Sequence, residues 1–218
     1  MKNISIPFLL IFIQNIVVYS QYESVRNFQK EIVENEITAS NIFMLYKDGK
    51  VVYLNAENSN LFGDKNISNQ SYKPYKETLF PIWSMSKPIT VVGIMILLEK
   101  GLINLNDNVS KYLPEFSQIY CKGDSGKYLC RNPLKIIHLL THRSGYGYYS
   151  HKGYGYGLTS TVKYKNLNDF SKDLSKVVLE FEPGEKYYYG VNQALLGRIV
   201  EVVSNKDFYS FLREEIFE

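Results

Sequence analysis

A serine and a lysine lie three residues apart at Ser84 and Lys87, directly before a long apolar run, Ile89 to Leu98. Side chains at this spacing share one face of a helix, one turn apart. The first turn of a helix offers unpaired N–H groups and a partial positive charge. Pro88 is accommodated there because its missing N–H is not needed. The pattern predicts a helix that begins near Ser84, with Ser84 as a nucleophile.

The apolar run also predicts the surroundings of Lys87. A helix that is apolar nearly all round is typical of a central, buried position. Burial disfavours the charged form of an amine, so we expect a lowered pKa for Lys87, which would let it take a proton. The same spacing occurs at Ser160 and Lys163, but no apolar helix follows, and we interpret that copy as a loop or short strand.

Several further segments occur in an order that one family shares. They are 80–90 (FPIWSMSKPIT), 97–101 (LLEKG), 109–114 (VSKYLP), 139–145 (LLTHRSG), and 183–201, which begins with Pro-Gly and ends in LLGRIVE. Over residues 37–218 the chain therefore resembles the class C β-lactamase-like serine hydrolases, the penicillin-recognising group. The resemblance implies an α+β fold of three layers, α/β/α, around an antiparallel sheet.

The resemblance also implies the catalytic set Ser84, Lys87 and Tyr189. Tyr189 stands where the family has a Tyr-Ser-Asn motif with a tyrosine base. A free phenol has a pKa of about 10, so it needs a nearby cation to act as a base at neutral pH. We expect Lys87 to supply that cation, Tyr189 to take the Ser84 proton, and the Ser84 N–H to form half of an oxyanion hole. Tyr187 and Tyr188 are the competing candidates for the base.

The third position of the tyrosine motif, Tyr189-Gly190-Val191, bears on the substrate. Val191 replaces the asparagine that contacts a substrate amide in many family members, and Asn192 comes one position late. This pattern fits the esterase-like members and predicts an acyl-enzyme hydrolase that prefers esters over β-lactams or D-amino peptides. The alternative is a non-catalytic binding protein, or an inactive fragment, of the same fold.

Two other chemistries fit the sequence less well. His138 and His142 have the spacing of a metal-ligand pair on a helix, but Leu139 holds the position of the glutamate in the zinc-protease pattern. Ser144 lacks the flanking glycines of a nucleophile elbow. We therefore expect neither a metal nor a cofactor.

The N-terminus and the cysteines predict an exported protein. Residues 1–20 contain Lys2, a short apolar core and small residues before Gln21, which is typical of a signal peptide; an uncleaved anchor is the alternative. After cleavage we expect no stable membrane span and a secreted or periplasmic location. The only two cysteines, Cys121 and Cys130, flank turn residues and should form a disulfide in such a compartment, or remain free thiols if no export occurs.

Charge and length complete the expectations. A net charge of +3 without a dense basic stripe argues against a nucleic-acid partner and leaves a small molecule or peptide as substrate, with the oligomeric state open. Periodicity predicts helices over 22–37, 134–140, 168–179, 194–203 and 208–216, and a hairpin turning at Asp48-Gly49. We expect residues 21–218 to be the N-terminal part of one domain. The family's C-terminal strands and third motif are expected to be missing, so that this stretch alone would be catalytically silent.

Overall fold

The computed structural model describes residues 22–58, 78–148 and 164–218. These residues belong to two compact units, residues 1–81 and residues 82–218. The predicted signal peptide and the second serine–lysine pair, Ser160 and Lys163, lie outside the described residues. Within the described ranges, no helix combines the length and the apolar character needed to cross a membrane.

The described part of the first unit contains one helix and one antiparallel hairpin. Its elements are α1 (Glu23–Glu34), β1 (Ser40–Lys47) and β2 (Lys50–Asn58). Asp48 and Gly49 both have positive φ, which is the conformation of the tight turns that suit a right-twisted hairpin. Gln29 of α1 is buried and donates a hydrogen bond of 2.7 Å to the Asn41 side chain, which attaches the helix to the hairpin. The predicted first helix and hairpin are confirmed.

The second unit is mostly helical, with one small hairpin. A 3-10 turn, Trp83–Ser86, precedes α2 (Lys87–Glu99); then follow β3 (Tyr120–Gly123), β4 (Gly126–Leu129), α3 (Ile136–Leu140), α4 (Leu167–Leu174), α5 (Asn192–Ser204) and α6 (Phe208–Leu212). The predicted helices are thus present. The one expected over 168–179 ends early at Leu174, and the last one changes after Leu212 into a wider turn, Arg213–Phe217.

The core of this unit lies around α5. Four of its apolar side chains are fully buried: Leu195, Leu196, Ile199 and Val200. Helix α2 packs against α5 and α6 at Gly93, where an added Cβ would lie 3.4 Å from the Phe211 ring. Only one side of α2 is buried in this way, because Val92 and Met95 on another side remain 45% and 37% exposed. The expectation of a helix buried all round therefore holds for one face only.

The β3–β4 hairpin anchors the segment that leads towards Tyr189. Cys121 and Cys130 form a disulfide across the hairpin. Leu179 donates its N–H to the Tyr120 carbonyl and accepts from the Lys122 N–H, both at 2.8 Å. The chain entering the 183–190 segment is therefore hydrogen-bonded to a covalently closed hairpin.

Candidate active site

The candidate nucleophile lies at an exposed helix start. Ser84 belongs to the 3-10 turn, and Lys87 is the first residue of α2, so the helical path predicted from Ser84 onward is present. Trp83 has φ +47°, an uncommon conformation for a residue other than glycine, with a cost of order 1–3 kcal/mol. Such backbone strain is concentrated at functional sites, and here it directly precedes Ser84.

The structure brings the three predicted site residues together. Lys87 Nζ donates to Ser84 Oγ at 3.0 Å, and the Tyr189 hydroxyl lies 2.8 Å from the same Oγ. The Lys87 ammonium also lies 4.8 Å from the centre of the Tyr189 ring. Of the three candidate phenols, that of Tyr189 reaches the nucleophile; the Tyr187 side chain is 68% exposed, and the Tyr188 ring lies against Gly147.

The electrostatics of this cluster differ from the sequence-based expectation. Burial by itself would lower the pKa of Lys87, but hydrogen bonds to the Tyr189 and Tyr148 hydroxyls outweigh it, so the pKa lies above its ordinary value. The expectation of a lowered Lys87 pKa is therefore wrong. The pKa of Tyr189 is lowered by its hydrogen bonds to Lys87 and Ser84, against a smaller effect of burial. The proton is thus held on the amine, and the phenol is the group prepared to act as a base.

Tyr148 is a member of the cluster that sequence reasoning did not identify. Its hydroxyl interacts with Lys87, and its ring centre lies 5.6 Å from that of Tyr189. Tyr148 lies in a segment rich in glycine and tyrosine, residues 145–157, and no pattern in the sequence distinguishes it from the other tyrosines there. The residues of that segment beyond Tyr148 lie outside the described residues.

Two glycines allow the segments carrying Tyr148 and Tyr189 to come into contact. A Cβ at Gly190 would lie 2.3 Å from the Tyr146 carbonyl oxygen and 2.6 Å from the Gly147 Cα. A Cβ at Gly147 would lie 2.2 Å from the Tyr188 ring. A larger residue at Gly190 would separate the two backbones, and one at Gly147 would displace the Tyr188 ring, because these distances are far below van der Waals contact. This close approach brings the two phenols to the same lysine.

Asn192, whose role the sequence left open, points into the protein. It is fully buried; its amide nitrogen lies 2.9 Å from His142 Nδ1, and its amide oxygen accepts a 2.5 Å hydrogen bond from Ser144. It is therefore occupied by internal partners. Ser144 is itself fully buried, which removes it from solvent as an alternative nucleophile.

The metal hypothesis gains no support from the described residues. His138 Nδ1 accepts from the Lys135 N–H at 3.3 Å, and His142 Nδ1 faces Asn192. Within the described ranges, the one cluster of three potential ligands is Cys121, Cys130 and Glu182. Its two sulfur atoms are joined in the disulfide, so they are not free thiolates that could bind an ion.

Comparison with known proteins gives three informative relatives. Esterase EstB of Burkholderia gladioli is 29% identical over 172 residues, which cover 73% of this chain and 40% of EstB. Acyltransferase calJ of Penicillium decumbens is 33% identical over 136 residues, 57% of this chain and 32% of calJ. The solved structure of EstCE1, a hydrolase with promiscuous acyltransferase activity, superimposes with a TM-score of 0.73 at 24% identity, covering 92% of this chain and 51% of EstCE1.

These relatives confirm the fold class inferred from the sequence, a mixed α+β fold of the β-lactamase and penicillin-binding-protein type. The chain spans about 40% of the length of EstB and about half of that of EstCE1. The Beta-lactamase family model matches residues 26–218, which is most of the chain. The chain therefore belongs to the Beta-lactamase family, within the superfamily of β-lactamase-like serine hydrolases.

Proposed function

We propose that this protein is a serine esterase that works through an acyl-enzyme, with Ser84 as nucleophile, Tyr189 as general base and Lys87 as the cation that holds Tyr189 in its basic form. One observation carries the proposal: Ser84 Oγ lies within hydrogen-bond distance of both the Lys87 ammonium and the Tyr189 hydroxyl. A nucleophile within reach of a base that is oriented by a third group is the arrangement of covalent hydrolytic catalysis.

The reaction would proceed in two balanced halves. The Tyr189 phenolate takes the Ser84 proton as Oγ bonds to the ester carbonyl carbon, and the resulting tetrahedral intermediate collapses when Tyr189 returns that proton to the departing alkoxide. Water then attacks the acyl-enzyme, giving its proton to Tyr189, and Ser84 leaves with that proton as the acid is released. The Ser84 N–H, in the first turn of the helical segment, is available to stabilise the oxyanion.

The surroundings of Tyr189 favour esters over amides. Val191 is partly buried against the apolar core, and Asn192 is occupied by His142 and Ser144. Neither side chain is therefore free to hold a substrate amide, and an amide substrate would lose an orienting hydrogen bond worth about 1 kcal/mol. We propose short-chain or small-molecule esters as the better substrates and β-lactams as the poorer ones.

The test compares Ser84→Ala with Ser86→Ala in the full-length protein, using p-nitrophenyl acetate and a chromogenic cephalosporin. Ser86 lies in the same turn, with its hydroxyl bonded to the Trp83 carbonyl at 2.7 Å, so it is the matched control. We expect Ser84→Ala to abolish ester turnover and Ser86→Ala to retain it, with a higher kcat/KM for the ester than for the cephalosporin. Ester turnover by Ser84→Ala would refute the assignment of Ser84 as the nucleophile. If the wild-type protein turns over neither substrate, the result would support the alternative of a binding protein.

We also propose that the protein is exported through a signal peptide at residues 1–20. The bond between Cys121 and Cys130 supports this proposal, because such bonds persist mainly in oxidising compartments. Expression in the native host, followed by N-terminal sequencing of the extracellular or periplasmic fraction, should find a mature chain starting near Gln21. Recovery of the intact N-terminus in the reducing cytoplasm would refute export.

A further inference from the structure

His142 is a buried histidine that the proposed reaction does not use. It is 9% exposed and follows α3 in the left-handed conformation, with φ +53°. That conformation is strained for histidine, and a helix usually ends there with glycine or asparagine. A strained, buried and titratable residue next to a candidate active site requires a physical explanation.

The contacts of His142 converge on the segment that carries Tyr189. Its carbonyl accepts the Tyr188 N–H at 2.7 Å, and its Nδ1 lies 3.4 Å from the Gly190 nitrogen, so it bonds the backbone on both sides of the tyrosine. Its ring centre lies 4.7 Å from that of Tyr189 at a tilt of 43°. One residue therefore contacts the base through two backbone hydrogen bonds and a ring contact.

The hydrogen-bond directions of the network define the tautomer of His142. The Gly190 N–H can only donate, so Nδ1 must accept. The Asn192 amide then also donates to Nδ1, which turns its oxygen towards Ser144. Ser144 donates to that oxygen and accepts from the Tyr146 N–H at 3.0 Å. The backbone N–H groups at the two ends of this network thus define the direction of each hydrogen bond in it. Neutral His142 therefore carries its own proton on Nε2.

We propose that neutral His142, held by Asn192 and Ser144, is the positioning residue that keeps the Tyr189 phenol on Ser84. The inference rests on the proposed function, in which Tyr189 is the base. His142 acts through Tyr189 and the 188–190 backbone, and the structure gives it no contact with Ser84 Oγ. In this proposal Asn192 holds His142, and His142 in turn positions Tyr189.

The electrostatic surroundings keep His142 in the required form. The titratable groups that face it are the Lys87 ammonium and the phenols of Tyr187 and Tyr189. Burial, and secondarily the Lys87 charge, lower the pKa of His142. Protonation of Nδ1 would direct an N–H at the Gly190 and Asn192 donors and break both bonds. The neutral form therefore persists at the pH where the lysine–tyrosine pair operates.

Two substitutions separate the functions of the side chain. His142→Phe keeps a ring beside Tyr189 but removes the Nδ1 acceptor, whereas His142→Asn keeps an acceptor near that position, tolerates the left-handed backbone and removes the ring. We expect His142→Phe to lower kcat for p-nitrophenyl acetate by about 10- to 100-fold with KM within about twofold, the pattern of lost transition-state alignment. His142→Asn should recover part of that loss.

The pH profile distinguishes positioning from simple support of the fold. When Tyr189 moves away from Lys87, its pKa returns towards the ordinary value of about 10, so the rise of kcat/KM should shift to higher pH in His142→Phe. Ser144→Ala, at the far end of the network, should shift the profile in the same direction by a smaller amount. It also serves as the test if His142→Phe does not fold.

Each outcome decides the inference. The positioning function would be overturned if a folded His142→Phe variant had the wild-type kcat and pH profile, even with a lower melting temperature. If His142→Phe does not fold, the same result in Ser144→Ala would overturn it. Ser84→Ala is measured in the same series to separate the two proposals. If Ser84→Ala is inactive while the His142 variant behaves as wild type, only the positioning inference fails; if Ser84→Ala is active, the proposed function itself fails.

Discussion

Glu182 and Tyr189 lie in the same segment of the chain, and the surroundings of each residue favour its deprotonated form. The two side chains differ in their hydrogen-bond partners. Burial raises the pKa of Glu182, yet the N–H groups of Asn132 and Arg131 outweigh it and bring the pKa below its ordinary value. Tyr189 is shifted in the same direction by Lys87 and Ser84. Glu182 is 2% exposed and bonded to backbone donors, whereas Tyr189 reaches an exposed hydroxyl that can give up a proton.

The comparison shows that a lowered pKa does not by itself identify a catalytic group. Glu182 holds the entry of the segment against the hairpin, with hydrogen bonds of 3.0 Å from the N–H groups of Arg131 and Asn132. The donors to its carboxylate are these backbone amides and the Arg131 guanidinium, none of which gives up a proton at neutral pH. Tyr189 instead forms a hydrogen bond with the exposed hydroxyl of Ser84, the proposed nucleophile. Substitutions around Glu182 and the hairpin should therefore change stability, and substitutions around Tyr189 should change turnover.

The largest effect is expected for Tyr189→Phe. Removing the base should lower kcat/KM for p-nitrophenyl acetate by about two to four orders of magnitude, the range for general-base catalysis, with little change in melting temperature. Tyr188→Phe is the matched control, because the Tyr188 ring packs on Gly147 and the phenol bonded to Ser84 is that of Tyr189. The opposite ranking of the two variants would show that the base is assigned one residue too late.

Reduction of the disulfide between Cys121 and Cys130 should act on stability. The bond closes a short loop, so its loss should lower the free energy of unfolding by about 2–3 kcal/mol. Denaturant unfolding of oxidised and reduced protein measures this difference directly. Turnover per folded molecule should remain close to that of the oxidised protein. A large loss of turnover without a loss of stability would show that the hairpin contributes to activity and not only to stability.

Glu182→Gln should destabilise the fold by about 2 kcal/mol at neutral pH, because it weakens the charge-assisted hydrogen bonds that the buried carboxylate accepts from the Arg131 and Asn132 N–H groups. The folded-state pKa of Glu182 is lowered, so its stabilisation is present above the unfolded pKa and is lost as the pH falls through the folded pKa, which lies below 4.5. The stability difference between wild type and variant should therefore shrink in acid. A stability difference that does not change with pH would show that the charge of Glu182 does not stabilise the fold.

The smallest effect is expected for Tyr146→Phe. Tyr146 is fully buried, and its hydroxyl has no hydrogen-bond partner among the described residues. Removing an unpaired buried hydroxyl should leave the free energy of unfolding unchanged within about 0.5 kcal/mol, or raise it. A loss above about 1 kcal/mol would mean that the hydroxyl has a partner in solution.

The sequence predicted the parts of the site that depend on local spacing or family register. The helical turn of Ser84 and Lys87 follows from the serine–lysine spacing and Pro88, and Tyr189 follows from register with related sequences. The turn at Asp48 and Gly49 likewise follows from local backbone preference. These features depend on short-range physics, and so a single sequence is enough to indicate them.

The remaining parts of the site depend on contacts between distant segments. Tyr148 lies beside Tyr189 where the two backbones approach closely at Gly147 and Gly190, and His142 contacts the tyrosine segment through hydrogen bonds from Tyr188 and Gly190. The direction of the Lys87 pKa was predicted wrongly because only burial by the helix was considered, whereas hydrogen bonds to the Tyr189 and Tyr148 hydroxyls outweigh that burial. Neither glycine has a distinguishing pattern in the sequence, because a close backbone approach becomes apparent only in three dimensions.

The most direct measurement of the central claim is the site and rate of covalent labelling. The full-length protein is treated with a fluorophosphonate, and the modified peptide is identified by mass spectrometry in wild type, Ser84→Ala and Tyr189→Phe. The account predicts one adduct on Ser84 in the wild type, none in Ser84→Ala, and labelling slowed by about two orders of magnitude or more in Tyr189→Phe. An adduct on another serine, or equal labelling rates in wild type and Tyr189→Phe, would contradict it.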